Sequence, residues 1–100
     1  MSVSTRVSED GCVMTISMPQ RFDFSIHGEL RKAYEDEDRL RSFIVDLSST
    51  SYMDSSALGM LLQLKEHAGN TSDGVKLINA RPNIKEILKI ANFDQLMSIE

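Results

Sequence analysis

Over the first eighteen residues, apolar and polar positions alternate in two stretches. Val3, Thr5 and Val7 interleave with Ser4, Arg6 and Ser8; after Glu9-Asp10-Gly11 the chain resumes as Cys12, Met14, Ile16 and Met18 between Val13, Thr15 and Ser17. A period of two, broken by an acidic, glycine-containing connection, predicts a β-hairpin. Pro19 stops the second strand. Beyond Arg21-Phe22-Asp23 the spacing changes to Ile26, Leu30 and Ala33, four and three apart, which predicts a helix. Glu35-Asp36-Glu37-Asp38 closes that helix unfavourably for its dipole, offset by Arg31, Lys32, Arg39 and Arg41, and reads as a solvated helix end.

Phe43-Ile44-Val45-Asp46-Leu47 is nearly continuous in apolar, β-branched residues, as suits a central strand covered on both faces. Ser48 to Tyr52 form a polar loop. Asp54-Ser55-Ser56 then supply capping side chains for a helix running to about His67, stopped by Gly69-Asn70 and followed by a turn at Thr71-Ser72-Asp73-Gly74. Val75 to Asn79 read as a strand. Arg81-Pro82-Asn83 open a helix with Ile84, Ile87, Leu88 and Ala91 on one side, and Leu96 to Ile99 fit a last strand. The order β-β-α-β-α-β-α-β predicts an α/β sandwich: a mixed sheet, mostly parallel after the N-terminal hairpin, with helices packed on it.

The chain has 100 residues, 41% of them hydrophobic, enough for one core and one domain over residues 1–100. A net charge of −4 with no basic cluster argues against direct nucleic-acid binding. The first residues carry no cationic start or apolar stretch, and no run approaches the roughly 18 apolar residues of a membrane span, so no membrane insertion and a cytoplasmic location are expected. Cys12, the single cysteine, reads as a small core thiol. Two distant histidines without a Cys pair give no metal site, no phosphate-binding glycine loop is present, and no cofactor is expected. Catalysis would need Ser55 with His27 or His67, but there is no Gly-x-Ser-x-Gly elbow and both histidines sit in terminal helical turns, so no enzymatic activity is expected.

A serine in the first turn of a helix places its hydroxyl beside unpaired backbone N–H groups and the positive end of the dipole. Phosphate there is electrostatically welcome and adds roughly −1.5 to −2 charges to a surface that a partner can read. Asp-Ser-Ser before an apolar run is equally the pattern of an ordinary N-cap.

The strand Phe43-Ile44-Val45-Asp46-Leu47 followed by Met53-Asp54-Ser55-Ser56-Ala57-Leu58-Gly59-Met60-Leu61-Leu62 resembles the central signature of the STAS family, the sulphate transporter and anti-sigma factor antagonist domains. The resemblance implies a STAS-like sandwich acting as a bacterial anti-sigma factor antagonist. In such a switch the unphosphorylated form sequesters an anti-sigma factor that is also a serine protein kinase, phosphorylation releases it, and a PP2C-type phosphatase resets the cycle. It assigns the phosphorylated residue to Ser55, with Ser56 as the adjacent alternative, and surrounds it with Asp54, Ser56 and Asp23. Asp23 would orient the hydroxyl or a kinase-bound metal, or serve as a plain helix cap. Where the family often has Gly-x-Leu-Asp, this chain has Gln20-Arg21-Phe22-Asp23, keeping the acid and losing the glycine. The second reading under the same resemblance is an unphosphorylated adaptor subunit of a lipid-transporting ABC complex.

At 100° per residue, the apolar positions of the helix after Asp54 span about 200°, wider than one sheet contact needs. Leu61 and Leu64 are expected beneath neighbouring helices. Ser55, Ala57, Leu58, Gly59 and Met60 are the expected partner surface, with Gly59 marking tight packing or docking. Many family members carry a further C-terminal helix, whereas Glu100 closely follows the last predicted strand; a monomer or weak homo-oligomer is expected.

Overall fold

The computed structural model describes residues 3–35, 42–69 and 74–100. The acidic run after Glu35 with Arg39 and Arg41, and the turn residues Asn70 to Asp73, lie outside the described residues. In chain order the elements are β1 (Ser4–Val7), β2 (Val13–Ser17), β3 (Arg21–Phe22), α1 (His27–Glu35), β4 (Ser42–Asp46), β5 (Tyr52–Met53), α2 (Ser55–His67), β6 (Val75–Ile78), α3 (Pro82–Ile90) and β7 (Ser98–Ile99). Short 3-10 turns occupy Phe24–Ile26 and Phe93–Gln95.

The hairpin pairs β1 antiparallel to β2, with Val7 opposite Met14. Its connection is tied by Asp10, which accepts the Ser8 hydroxyl at 2.6 Å and the Cys12 N–H at 3.0 Å, and Gly11 turns it at φ 76. Cys12 therefore sits in the connection, half-buried, and not in the core as expected. From β2 onward every pairing of the main sheet is parallel, in the order β1-β2-β4-β6-β7, which is the mixed α/β architecture expected.

This order advances in one direction, so right-handed crossovers stack α1, α2 and α3 on the same face. Burial alternates accordingly. Met14, Ile16, Phe43, Val45, Val75 and Leu77 point into the core, while Val13, Thr15, Ile44, Asp46, Lys76 and Ile78 are half-buried on the other face. Strand β4 is central but fully covered on one face only, which corrects the two-sided reading of its apolar run. The last strand is also shorter than expected: Asn92 at φ 61 leads into the 3-10 turn, Met97 dives into the core, and only Ser98 and Ile99 pair with β6.

Strands β3 and β5 form a separate two-stranded parallel sheet, Arg21 opposite Tyr52 and Phe22 opposite Met53. Neither was expected. Phe22 is fully buried and Met53 is 5% exposed, so this small sheet closes the core beyond the C-terminal ends of β2 and β4.

Candidate functional site

The loop between β4 and β5 is built almost wholly by hydrogen bonds. Thr50, the buried polar residue among those described, donates its hydroxyl to the Pro19 carbonyl at 2.9 Å. Ser51 and Tyr52 donate backbone N–H groups to Gln20 at 2.9 and 3.2 Å, Arg81 Nε donates to the Ser48 carbonyl at 3.2 Å, and Asn83 Nδ2 to that of Ser51 at 3.2 Å. Asp46 caps the loop's start, accepting the Ser48 N–H at 2.9 Å and Asn79 Nδ2 at 3.3 Å. Burial pushes the Asp46 carboxyl upward in pKa, and these donors outweigh it, leaving the group below its ordinary value.

That anchorage delivers the chain to α2. Asp54 is the N-cap in extended conformation; its Oδ1 accepts the Ser56 hydroxyl at 2.6 Å and the Ala57 N–H at 3.1 Å. The Ser56 hydroxyl is the first cause of the lowered Asp54 pKa. Ser56 is therefore part of the cap. Ser55 is exposed, and its hydroxyl makes no hydrogen bond among the described residues.

On the neighbouring strand of the small sheet, Asp23 caps the 3-10 turn, accepting Ser25 N–H at 3.0 Å and Ser25 Oγ at 2.5 Å. Arg21 Nε donates to its other oxygen at 2.7 Å. The Ser25 hydroxyl and then Arg21 hold the Asp23 carboxyl below its ordinary pKa. The Arg21 guanidinium also lies 4.3 Å from the Tyr52 ring centroid. The β3–β5 pairing thus brings Asp23 and Asp54 to one end of the fold, where the Asp23 charge slightly opposes the lowering of the Asp54 pKa by Ser56 and Ala57. Arg21 and Tyr52, not singled out in the sequence, are brought there too; an aromatic residue opposite a cation becomes visible only once the register is known.

The remaining expected site residues divide. Ala57 is fully buried and Met60 is 3% exposed, so both belong to the core and are lost from the expected partner surface. The reason is angular: Ala57, Met60, Leu61 and Leu64 cluster within about 100° of the helix, whereas Ser55, Leu58, Gly59 and Leu62 occupy an arc of similar width on the opposite side. Leu58 is half-buried, Gly59 exposed, and Leu62 42% exposed. A Cβ on Gly59 would meet nothing within 4 Å, so no packing inside this chain requires the glycine.

His67 lies at the far end of α2, about 18 Å from Ser55 by helical rise, with its ring packed on Tyr34 at 4.8 Å. His27 stacks on the exposed Phe24 at 4.8 Å. Among the described residues, no helix is long and apolar enough to cross a membrane, and no group of three or more His, Cys, Asp or Glu side chains converges on a metal position.

The STAS domain family model matches residues 3–100, and the chain belongs to the STAS domain family. A STAS-domain containing protein of Pseudomonas aeruginosa (strain UCBPP-PA14) is 44% identical over 100 residues, covering 99% of each chain. The anti-sigma factor antagonist SpoIIAA in its unphosphorylated form superposes with a TM-score of 0.82 at 15% identity, covering 99% of this chain and 88% of that one. The Bacillus cell fate determinant SpoIIAA in its phosphorylated form gives 0.68 at 15% identity, covering 99% and 91%. At these identities the solved structures establish the shared fold.

Proposed function

We propose that this domain is a phosphorylation-controlled protein-binding switch of the anti-sigma factor antagonist type. The unphosphorylated chain binds an anti-sigma factor that is also a serine kinase. Transfer of the γ-phosphoryl group of ATP to Ser55 Oγ, with loss of the hydroxyl proton and departure of ADP, releases that partner, and a PP2C-type phosphatase restores the hydroxyl by hydrolysis, yielding inorganic phosphate. The domain is the substrate in this cycle, not the catalyst.

The carrying observation is that Ser55 is exposed in the first turn of α2, its hydroxyl without a hydrogen-bond partner among the described residues, on the same side as Leu58, Gly59 and Leu62. A partner covering that apolar side must cover the Ser55 hydroxyl as well. Adding a dianion under such an interface opposes binding through its desolvation and through repulsion of acidic groups that the partner brings to it. SpoIIAA, a fold neighbour, exists in unphosphorylated and phosphorylated forms, which supports the same chemistry here.

The test is retention of the kinase partner on immobilised protein. Wild type should release it when ATP is added; Ser55→Ala should bind equally well and hold it. Release from Ser55→Ala with ATP would place the phosphorylated residue elsewhere, and recovery of an ABC ATPase in place of a kinase would replace this reading with the adaptor role.

A further inference from the structure

The residue pair Arg21 and Tyr52 is the part of the site that the switch has not yet used. Arg21 stands directly opposite Tyr52 in the β3–β5 pair, and Tyr52 precedes Ser55 by only three residues, no more than about 11 Å of chain. The arginine side chain is 62% exposed and is held at two points, the Asp23 carboxylate at 2.7 Å and the Tyr52 ring at 4.3 Å. The Asp23 hydrogen bond raises the Arg21 pKa first of all, and the charge of Asp54, the neighbour of Ser55, adds the smallest part of that rise.

We propose that Arg21 is the intramolecular counter-ion of phosphorylated Ser55, exchanging the Asp23 carboxylate for the phosphate while its guanidinium stays on the Tyr52 ring. The inference rests on Ser55 being the modified residue.

Three features favour the exchange. A phosphate dianion offers a planar guanidinium more charge and more acceptor oxygens than one carboxylate does. Asp23 is not stranded when Arg21 leaves, since Ser25 continues to supply both its N–H and its hydroxyl. The aromatic contact lets the guanidinium pivot between anions and limits the side-chain entropy lost in capturing the second. Arg81 is the competing cation in the same group of loops, but its Nε is tied to the Ser48 carbonyl at 3.2 Å, at the start of the β4–β5 loop. The consequence is a phosphorylated state kept as a dianion at neutral pH despite the two aspartates around it.

The test installs phosphoserine at position 55 genetically and titrates it by 31P NMR, so that no cellular kinase is involved. Its second ionisation, ordinarily near about pH 6, should rise by about half a unit or more in Arg21→Gln and stay at the wild-type value in Arg81→Gln. In the wild-type background, the Arg21 Nε–H resonance should move on phosphorylation and follow the phosphate through its titration. Equal phosphate pKa values in wild type and a folded Arg21→Gln, a rise in Arg81→Gln instead, or an Arg21 Nε–H signal indifferent to the phosphate would overturn the proposal. A chain never phosphorylated in its host would sink the switch while leaving this titration unchanged, so the two failures are separable.

Discussion

The Asp54 carboxylate accepts the Ser56 hydroxyl at 2.6 Å, which divides the labour between two adjacent serines. Ser56 completes the cap of α2, and Ser55 is left exposed. Ser56→Ala should lower the thermal midpoint by a few degrees through loss of that bond. Ser55→Ala should change stability by no more than about 0.5 kcal/mol. Paired thermal melts check both; equal losses would mean that Ser55 has a structural duty its surroundings do not show.

Thr50 is the buried pin of the loop that presents the site, its hydroxyl bonded to the Pro19 carbonyl across 31 positions. Thr50→Val preserves shape and leaves that carbonyl without its donor, at a cost of about 1–3 kcal/mol. Chemical denaturation measures this, with Thr50→Ser expected to recover part of the loss. A Val variant as stable as wild type would show that water serves the carbonyl equally well.

The two sides of α2 should respond oppositely to charge. Leu62→Arg, at an exposed position, should weaken partner binding and leave the domain folded; Met60→Arg, in the core, should abolish cooperative unfolding. Gly59→Ala separates helix stability from docking. With open space around the new methyl group, it should stabilise the helix by about 1 kcal/mol, and it should weaken binding where the partner's backbone approaches that point. Calorimetry of the variants and binding to the purified partner supply both readouts.

What the sequence made legible follows from periodicity. The hairpin carries a period of two and the first and third helices a period near 3.6 over enough residues to be read, the central strand shows as a short continuous apolar run, and Asp54-Ser55-Ser56 marks a cap before the apolar run of the second helix. Strands β3 and β5 have two residues each, too few to carry any period, and their pairing depends on Thr50 and Gln20 in loops that look merely polar. Ile44 belongs to an apolar run yet faces the side without helices, because which side a strand exposes depends on the direction of the crossovers, not on its own residues. Ala57 and Met60 share the helical angle of Leu61 and Leu64, not that of Leu58, so the core takes them too; their nearness in sequence to Ser55 does not place them on its side.

Acid should destabilise the domain more than its net charge suggests. Asp23, Asp46 and Asp54 are all held below their ordinary pKa by donors that exist only in the folded state. The native state therefore binds fewer protons than the unfolded one as pH falls past about 4, so this stabilisation is complete above the ordinary carboxylate range and is lost as pH drops through the lowered folded values. Melting midpoints should be flat above about pH 5 and fall below about pH 4. Asp54→Asn, which keeps an acceptor at the cap, should reduce the steepness of that fall; an unchanged slope would remove Asp54 from the account.

The central claim is that Ser55 is the switch residue. It is tested most directly by intact-mass and peptide mass spectrometry of the protein purified from its own host, growing and stressed. Phosphate at Ser55, with an occupancy that changes between the two conditions, is the predicted result. A chain that stays unmodified in both, or one that carries its phosphate at Ser56, would contradict it.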